Sequence, residues 1–191
     1  MVGYFKKKSE LASKFEDSVM EDGLRQCQIG GYWAANAHFT RSSKPALLSL
    51  PTGAGKTALM MMLAFGFKAK RVLVISPSAL IRKQTHKKFS ELEGLVKANI
   101  FANSNDEKII EELPKVVKIK ARVTDKSLWD EYKESDVVIA LPNDISAVYN
   151  REDLEKIEIP PKGFFDVVFF DEAHHTGTPS WNRLIEDFKE C

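Results

Sequence analysis

The sequence is short of several things, and each shortage narrows the field. Only two of its 191 residues are cysteine, Cys27 and Cys191. That is too few for a disulfide framework, and no Cys/His spacing suits a zinc site. A reducing, cytoplasmic setting fits this usage. The longest apolar run, Ala58 to Phe67, is too short to span a bilayer, so no membrane partner is expected. The lysines among Met1 to Lys8 are not followed by a long apolar segment, so they are not expected to open a secretory signal. Net charge is nearly absent as well. At +1 it argues neither for nor against nucleic acid, because local patches matter more than the sum. There is no internal repeat and no low-complexity tract. What remains is an ordinary globular composition, 43% hydrophobic and 29% charged, on a chain long enough for one generous domain.

Against that plain background one stretch stands out: Leu50-Pro51-Thr52-Gly53-Ala54-Gly55-Lys56-Thr57. It follows the apolar run Ala46 to Leu50 and leads into the apolar run Ala58 to Phe65, which reads as strand, glycine turn, helix. Gly53 and Gly55 allow a tight turn whose N–H groups face an anion, and the start of a helix adds the positive end of its dipole. Lys56 would reach the β- and γ-phosphates of a nucleoside triphosphate, and Thr57 would offer its hydroxyl to Mg²⁺. The full fingerprint begins with glycine, where this chain has Leu50. A glycine turn that merely joins two core elements is the plain alternative.

Taken in order, Lys8 to Met20 carries Leu11, Phe15 and Val19 at helical spacing, and a second helix runs from about Leu24 to Phe39, weakened at Gly30-Gly31. Arg71 to Ile75, Asp136 to Ala140 and Val167 to Phe170 read as buried parallel strands, with weaker strands at Ala98 to Phe101 and Val116 to Ile119. Helices are expected from Ala79 to Leu92, near Ile109-Ile110, from Ser127 to Tyr132 and from Trp181 to Lys189. This alternation predicts an α/β fold, a mainly parallel sheet with helices on both faces. Trp33, Trp129 and Trp181 read as packing residues.

Asp171-Glu172-Ala173-His174 directly follows the last strand. Ligands of open parallel sheets bind beyond the carboxyl ends of the strands, so these residues are expected to meet the phosphate loop there. Asp171 would hold Mg²⁺ and Glu172 would orient or deprotonate the attacking water, with Lys56 completing the catalytic set. The alternative is a solvated acidic turn. His174-His175 lacks the further ligands of a metal site; His174 is read as a coupling residue, and His175 as a surface residue.

Together these stretches resemble the first RecA-like motor domain of a superfamily-2 helicase or translocase, from Leu24 to about His175. Leu24-Arg25-Gln26-Cys27-Gln28 is similar to the family's Leu-Arg-x-x-Gln segment. The resemblance implies that Arg25 and Gln28 join Pro51, Thr52, Gly53, Ala54, Gly55, Lys56 and Thr57 around ATP, with Gln28 reading adenine. Ser76 to Leu80 resembles motif Ia, which implies backbone contacts to nucleic acid from Pro77, Ser78, Arg82 and Lys83, with Asn143 as a further contact. The pattern looks most like the type III restriction-enzyme and DNA-repair branch with an Asp-Glu-Ala-His box, implying duplex DNA rather than RNA. Residues 1–23 would be a helical extension and 24–191 an ATP-binding domain incomplete at its C-terminus. No counterpart of motif III, or of a second RecA-like domain with its arginine finger, is found. The resemblance therefore implies ATP hydrolysis with Mg²⁺ only once such a domain joins in cis or trans. Lys68 to Arg71, Arg82 to Lys88 and Lys115 to Lys126 form basic clusters, more commonly solvated helix faces than phosphate sites. Two other readings stay open: a nucleotide-responsive binding module that does not sense nucleic acid, and a small-molecule kinase, which the acidic box and the lack of a lid weaken.

Overall fold

The computed structural model describes residues 2–17, 23–101, 112–146, 157–172 and 179–188. Contacts divide the chain into two compact units, one built from residues 71–86 and 115–191, the other from residues 2–70 and 87–114.

The first unit contains the sheet. Strands β1 (Val72–Ile75), β2 (Val116–Lys118), β3 (Val137–Ala140) and β4 (Val167–Phe170) lie in the order β2-β3-β1-β4 and pair in parallel throughout. The register sets Ile75 level with both Ala140 and Phe170, so the strands leave the sheet at a common edge. β1 and β3 are wholly apolar and wholly buried, as central parallel strands must be, while the outer β2 and β4 are half-buried. Leu73, Val138, Trp129, Phe165, Leu184 and Phe188 anchor the core of this unit. Trp129 is fully buried and donates its indole N–H to Glu158 O at 3.0 Å, so its polar atom is satisfied.

Arg71 closes the opposite, amino-terminal edge. Its guanidinium donates to Phe164 O at 2.7 Å, to Ser135 O at 3.3 Å and to Lys133 O, and lies 4.2 Å from the centre of the Phe164 ring. Its backbone N–H donates to the Asp166 carboxylate at 2.9 Å. One side chain thus ties the start of β1 to the segments that feed β3 and β4. Read in the sequence as part of a basic cluster, Arg71 is in fact only 6% exposed.

The second unit is helical. Short helices α1 (Tyr4–Lys7) and α2 (Lys14–Asp17) flank a 3₁₀ turn at Ser9–Ser13, and α3 (Gln26–Phe39) packs on α4 (Lys56–Gly66). Every residue of α4 from Ala58 to Phe65 is buried. Gly31 accounts for the close approach of the pair: a Cβ there would sit 2.8 Å from the Leu59 side chain. The glycine costs about 1 kcal/mol of helix propensity and makes room for a core contact. Phe5 stacks edge-on to Phe65 at 4.9 Å and Phe15 to Tyr32 at 5.4 Å, so the N-terminal segment is an integral part of this unit.

Several expectations need correction. Residues 45–51 form no regular structure and join no ladder among the described residues; Leu47 is 71% exposed. The segment belongs to the helical unit, which has no strand among its described residues. The helix expected over Lys8 to Met20 is broken into the shorter turns above, and its residues 18–20 lie outside the described residues. Ala98 to Phe101 is not a strand. After α6 (Glu93–Lys97), Asn99 adopts φ 55° and Ile100 N–H bonds back to Leu95 O, a helix stop rather than an extended run. Lys126–Tyr132 is a 3₁₀ helix capped by Asp125. Trp33 packs its ring edge-on to Tyr32 at 5.3 Å but stays 46% exposed. The helix near Ile109-Ile110 falls outside the described residues, as does the side chain of Trp181.

Candidate nucleotide site and nucleic-acid face

In the helical unit, the glycine turn has the backbone that its sequence asks for. Gly53 and Gly55 take φ values of 77° and 82°, the left-handed region where a side chain is strained. Ala54 N–H closes the turn on Pro51 O, and Ala58 and Leu59 both bond back to Gly55 O. No side chain caps α4, which starts at Lys56 with Gly55 as its N-cap. An uncapped helix start preceded by two left-handed glycines is a concave, electropositive place for an acceptor. Pro51, Thr52 and Gly53 are exposed, Lys56 and Thr57 half-buried, and Ala54 buried.

Arg25 and Gln28 stand against this turn. The Arg25 guanidinium donates to Gly53 O. Gln28 is buried; its Nε2 donates to Gly55 O at 3.1 Å while its Oε1 accepts the Arg25 N–H at 2.8 Å, capping α3. Both ends of the amide expected to read adenine are therefore bonded within the protein. The contact is close: a Cβ on Gly55 would lie 2.3 Å from Gln28 Nε2.

In the sheet unit, Asp171 follows β4 and is 8% exposed, and its N–H donates to Ile75 O at 2.9 Å. Its Oδ1 accepts the N–H of Glu172 at 3.0 Å, and Glu172 sits at φ 58°. A left-handed glutamate costs about 1–2 kcal/mol. Strain of this kind persists where the surroundings impose it, and it commonly marks functional turns. Ser76, one step past β1 and level with Asp171, is fully buried, and its hydroxyl has no partner among the described residues. His174 lies outside the described residues. Among those described, no group of three or more His, Cys, Asp or Glu side chains could hold a metal. A Mg²⁺ carried jointly by the protein and a triphosphate does not need such a group.

The candidate nucleic-acid contacts also belong to the sheet unit. Helix α5 (Ala79–Ser90) follows β1, and Ser78 Oγ accepts the Ile81 N–H at 3.3 Å, a cap for that helix. Pro77 is half-buried; Ser78 and Lys83 are exposed. Helix α7 (Pro142–Ile145) follows β3 and carries the exposed Asn143. Arg82 was expected to reach phosphate, yet its Nη1 donates to Asp144 Oδ2 and to Ile119 O, each at 2.8 Å. Sequence reasoning missed Asp144, although Leu-Pro-Asn-Asp is legible as a helix start with proline first and an acid in its first turn. Lys118, Lys120 and Arg122 line a groove beside β2 with Leu128, Glu131 and Tyr132. His86 on α5 is held below its ordinary value of 6.5, first by burial and then by Lys118, against the opposing hydrogen bond to the Val116 backbone.

A parallel α/β sheet, a left-handed glycine turn opening a buried helix, and an acidic pair at a strand exit define a P-loop ATPase domain of the RecA-like, helicase kind. The chain belongs to the family described as type III restriction enzyme, res subunit, whose family model matches residues 21–191. It is 28% identical over 162 residues to the reverse gyrase of Methanocaldococcus jannaschii, an alignment that covers 84% of this chain and 9% of that protein. The chain thus spans a small fraction of the curated relative it matches. No solved structure matches it. The chain is thus a RecA-like, P-loop domain of the superfamily-2 helicase kind. No helix among the described residues is long and apolar enough to cross a membrane.

Proposed function

We propose that the chain is the ATP-binding half of a DNA translocase or helicase in restriction, repair or defence, and that it hydrolyses ATP when a second RecA-like domain completes it. The observation that carries this reading is the turn from Pro51 to Thr57. Its two left-handed glycines and the uncapped start of α4 fit a triphosphate, with Lys56 binding the β- and γ-phosphates.

Mg²⁺, held by Thr57 and Asp171, would neutralise the charge that develops on the transferred phosphate. Glu172 orients the attacking water and takes its proton. Gln28 reads adenine by exchanging its bond to Gly55 O for the base, which makes the turn carbonyl and the base alternative partners of one amide. Arg25 steadies the turn through Gly53 O. His174 couples the acidic pair to neighbouring groups. Pro77, Ser78, Lys83 and Asn143 form the face toward duplex DNA, through contacts to its backbone.

An arginine finger contributes roughly 10³–10⁵ in rate, so this chain by itself should bind nucleotide and turn it over poorly. A fluorescent ATP analogue titrated with Mg²⁺ against the chain and its Lys56→Ala variant tests the reading. Saturable binding is expected, with a loss of about tenfold or more in the variant. Equal affinity in both would remove Lys56 from the site. The rival, a nucleotide-responsive module indifferent to nucleic acid, shares the same turn; nucleotide affinity that DNA leaves unchanged would favour it.

A further inference from the structure

Three of the four strands leave the sheet into segments that a single side chain joins. Arg82 lies one turn into α5, the helix after β1. Its Nη1 reaches Ile119 O, in the segment after β2, and Asp144 Oδ2, in the turn after β3. The ion pair is largely shielded, with side-chain exposures of 20% for Arg82 and 14% for Asp144. Asp144 passes the restraint on. The same Oδ2 accepts the Leu141 N–H at 3.0 Å, and the Asp144 carbonyl accepts the Val123 N–H at 3.0 Å. Exposed residues flank the network in sequence: Lys83 beside Arg82, Lys120 beside Ile119, Thr124 beside Val123 and Asn143 beside Asp144; of these, Lys83 and Asn143 belong to the face proposed above.

We infer that Arg82 is a positioning residue for the nucleic-acid face, holding α5, the Ile119–Val123 segment and α7 in one arrangement so that Lys83 and Asn143 meet the backbone together. The inference rests on the reading of that face given above. A shielded guanidinium bonded to a carboxylate and a carbonyl is poorly placed to serve a phosphate, because leaving would strand Asp144. Its charge orders the loops instead, and the exposed Lys83 beside it supplies the phosphate contact.

The test uses the full 191-residue chain, a fluorescein-labelled duplex DNA, and the variants Arg82→Gln, Asp144→Asn and the double variant. Anisotropy is read between about 50 and 200 mM salt. A positioning role predicts that each single variant binds DNA about tenfold more weakly, as when a partner that orients a contact is lost. The double variant should be no worse than either, and the salt slope and the affinity for a fluorescent ATP analogue should match wild type. A direct phosphate contact predicts the opposite pattern. Arg82→Gln would flatten the slope by about 0.9, and Asp144→Asn, by freeing the guanidinium, would tighten binding; that result overturns the inference. Amide exchange supplies a readout without DNA: in Arg82→Gln, the Leu141 and Val123 amides should exchange at least ~10-fold faster. Unchanged exchange also overturns it. Faster exchange in a chain that binds no DNA would leave the ordering role standing and remove the nucleic-acid reading. Asp144→Asn, nearly isosteric, reads the same link by exchange should Arg82→Gln fold poorly.

Discussion

Replacing Arg71 by methionine isolates the buried clamp at the amino-terminal edge of the sheet. Methionine keeps much of the stem's apolar packing and removes every donor. Three backbone carbonyls, those of Lys133, Ser135 and Phe164, lose their partner, and the Phe164 ring loses the cation over its face. A buried carbonyl left unsatisfied costs about 1–3 kcal/mol, and a desolvated cation–π contact about 2 kcal/mol. Against this stands the burial penalty of the guanidinium, which lowers its pKa and which the carboxylates of Asp166, Glu134 and Asp136 oppose. Water can also reach carbonyls in loops more readily than in the sheet. The lower end of the range therefore applies, a net loss of about 3 kcal/mol. For a chain of this size that is roughly 6–12 °C in melting temperature. Thermal unfolding followed by circular dichroism reads it directly. Arg71→Lys should fall between the two, because an ammonium keeps the charge but cannot fan out to three carbonyls. A shift under about 2 °C for Arg71→Met would refute the reasoning, and Arg71 would then be the solvated cation that its sequence neighbours suggest.

Other outcomes follow from the same contacts. Gly55→Ala forces a left-handed alanine and drives a methyl to within 2.3 Å of Gln28 Nε2; it should cost about 2–3 kcal/mol in urea unfolding and weaken nucleotide binding, and a variant as stable as wild type would contradict the turn geometry. Phe5→Ala empties a fully buried site against Phe65 and should cost about 3–5 kcal/mol by the same measurement, whereas a loss under 1 kcal/mol would show the N-terminal segment to be dispensable. The lowered pKa of His86 means that the unfolded chain takes up a proton at higher pH than the folded one. The contribution of His86 to stability is therefore complete above about pH 6.5 and declines as pH falls below it. Urea midpoints for wild type and His86→Gln should differ by a constant amount above that pH, and wild type should lose stability relative to the variant as pH falls toward 5; curves parallel over the whole range would show that the imidazole is not desolvated.

Local chemistry was legible where one residue type has few alternatives. The glycines of the Pro51–Thr57 turn, the buried runs of β1 and β3, and the stop of β3 before Pro142 all follow from backbone permissiveness and apolar pattern alone. What escaped was set by partners distant in sequence. Ala46 to Leu50 has the composition of a central strand, but strand identity is a property of pairing, and no ladder among the described residues includes it. Arg71 and Arg82 look like members of basic clusters, yet their carbonyl and carboxylate partners lie 62 to 93 and 37 to 62 residues away. Gln28 was expected to read adenine, and its bond to Gly55 O had no signal in the sequence. The same limit applies to Tyr4 and Phe5, which nothing in the local pattern singles out: only contact with Phe65 makes them core.

The claim on which the account turns is that Lys56, Thr57, Asp171 and Glu172 serve one triphosphate. A crystal structure of the chain with Mg²⁺ and a non-hydrolysable ATP analogue measures this most directly. The account predicts the terminal phosphate against the Lys56 amine, the metal shared by Thr57 and Asp171, and an ordered water beside Glu172. An analogue bound in the Pro51–Thr57 turn with Asp171 and Glu172 turned away from its phosphates and metal would contradict it.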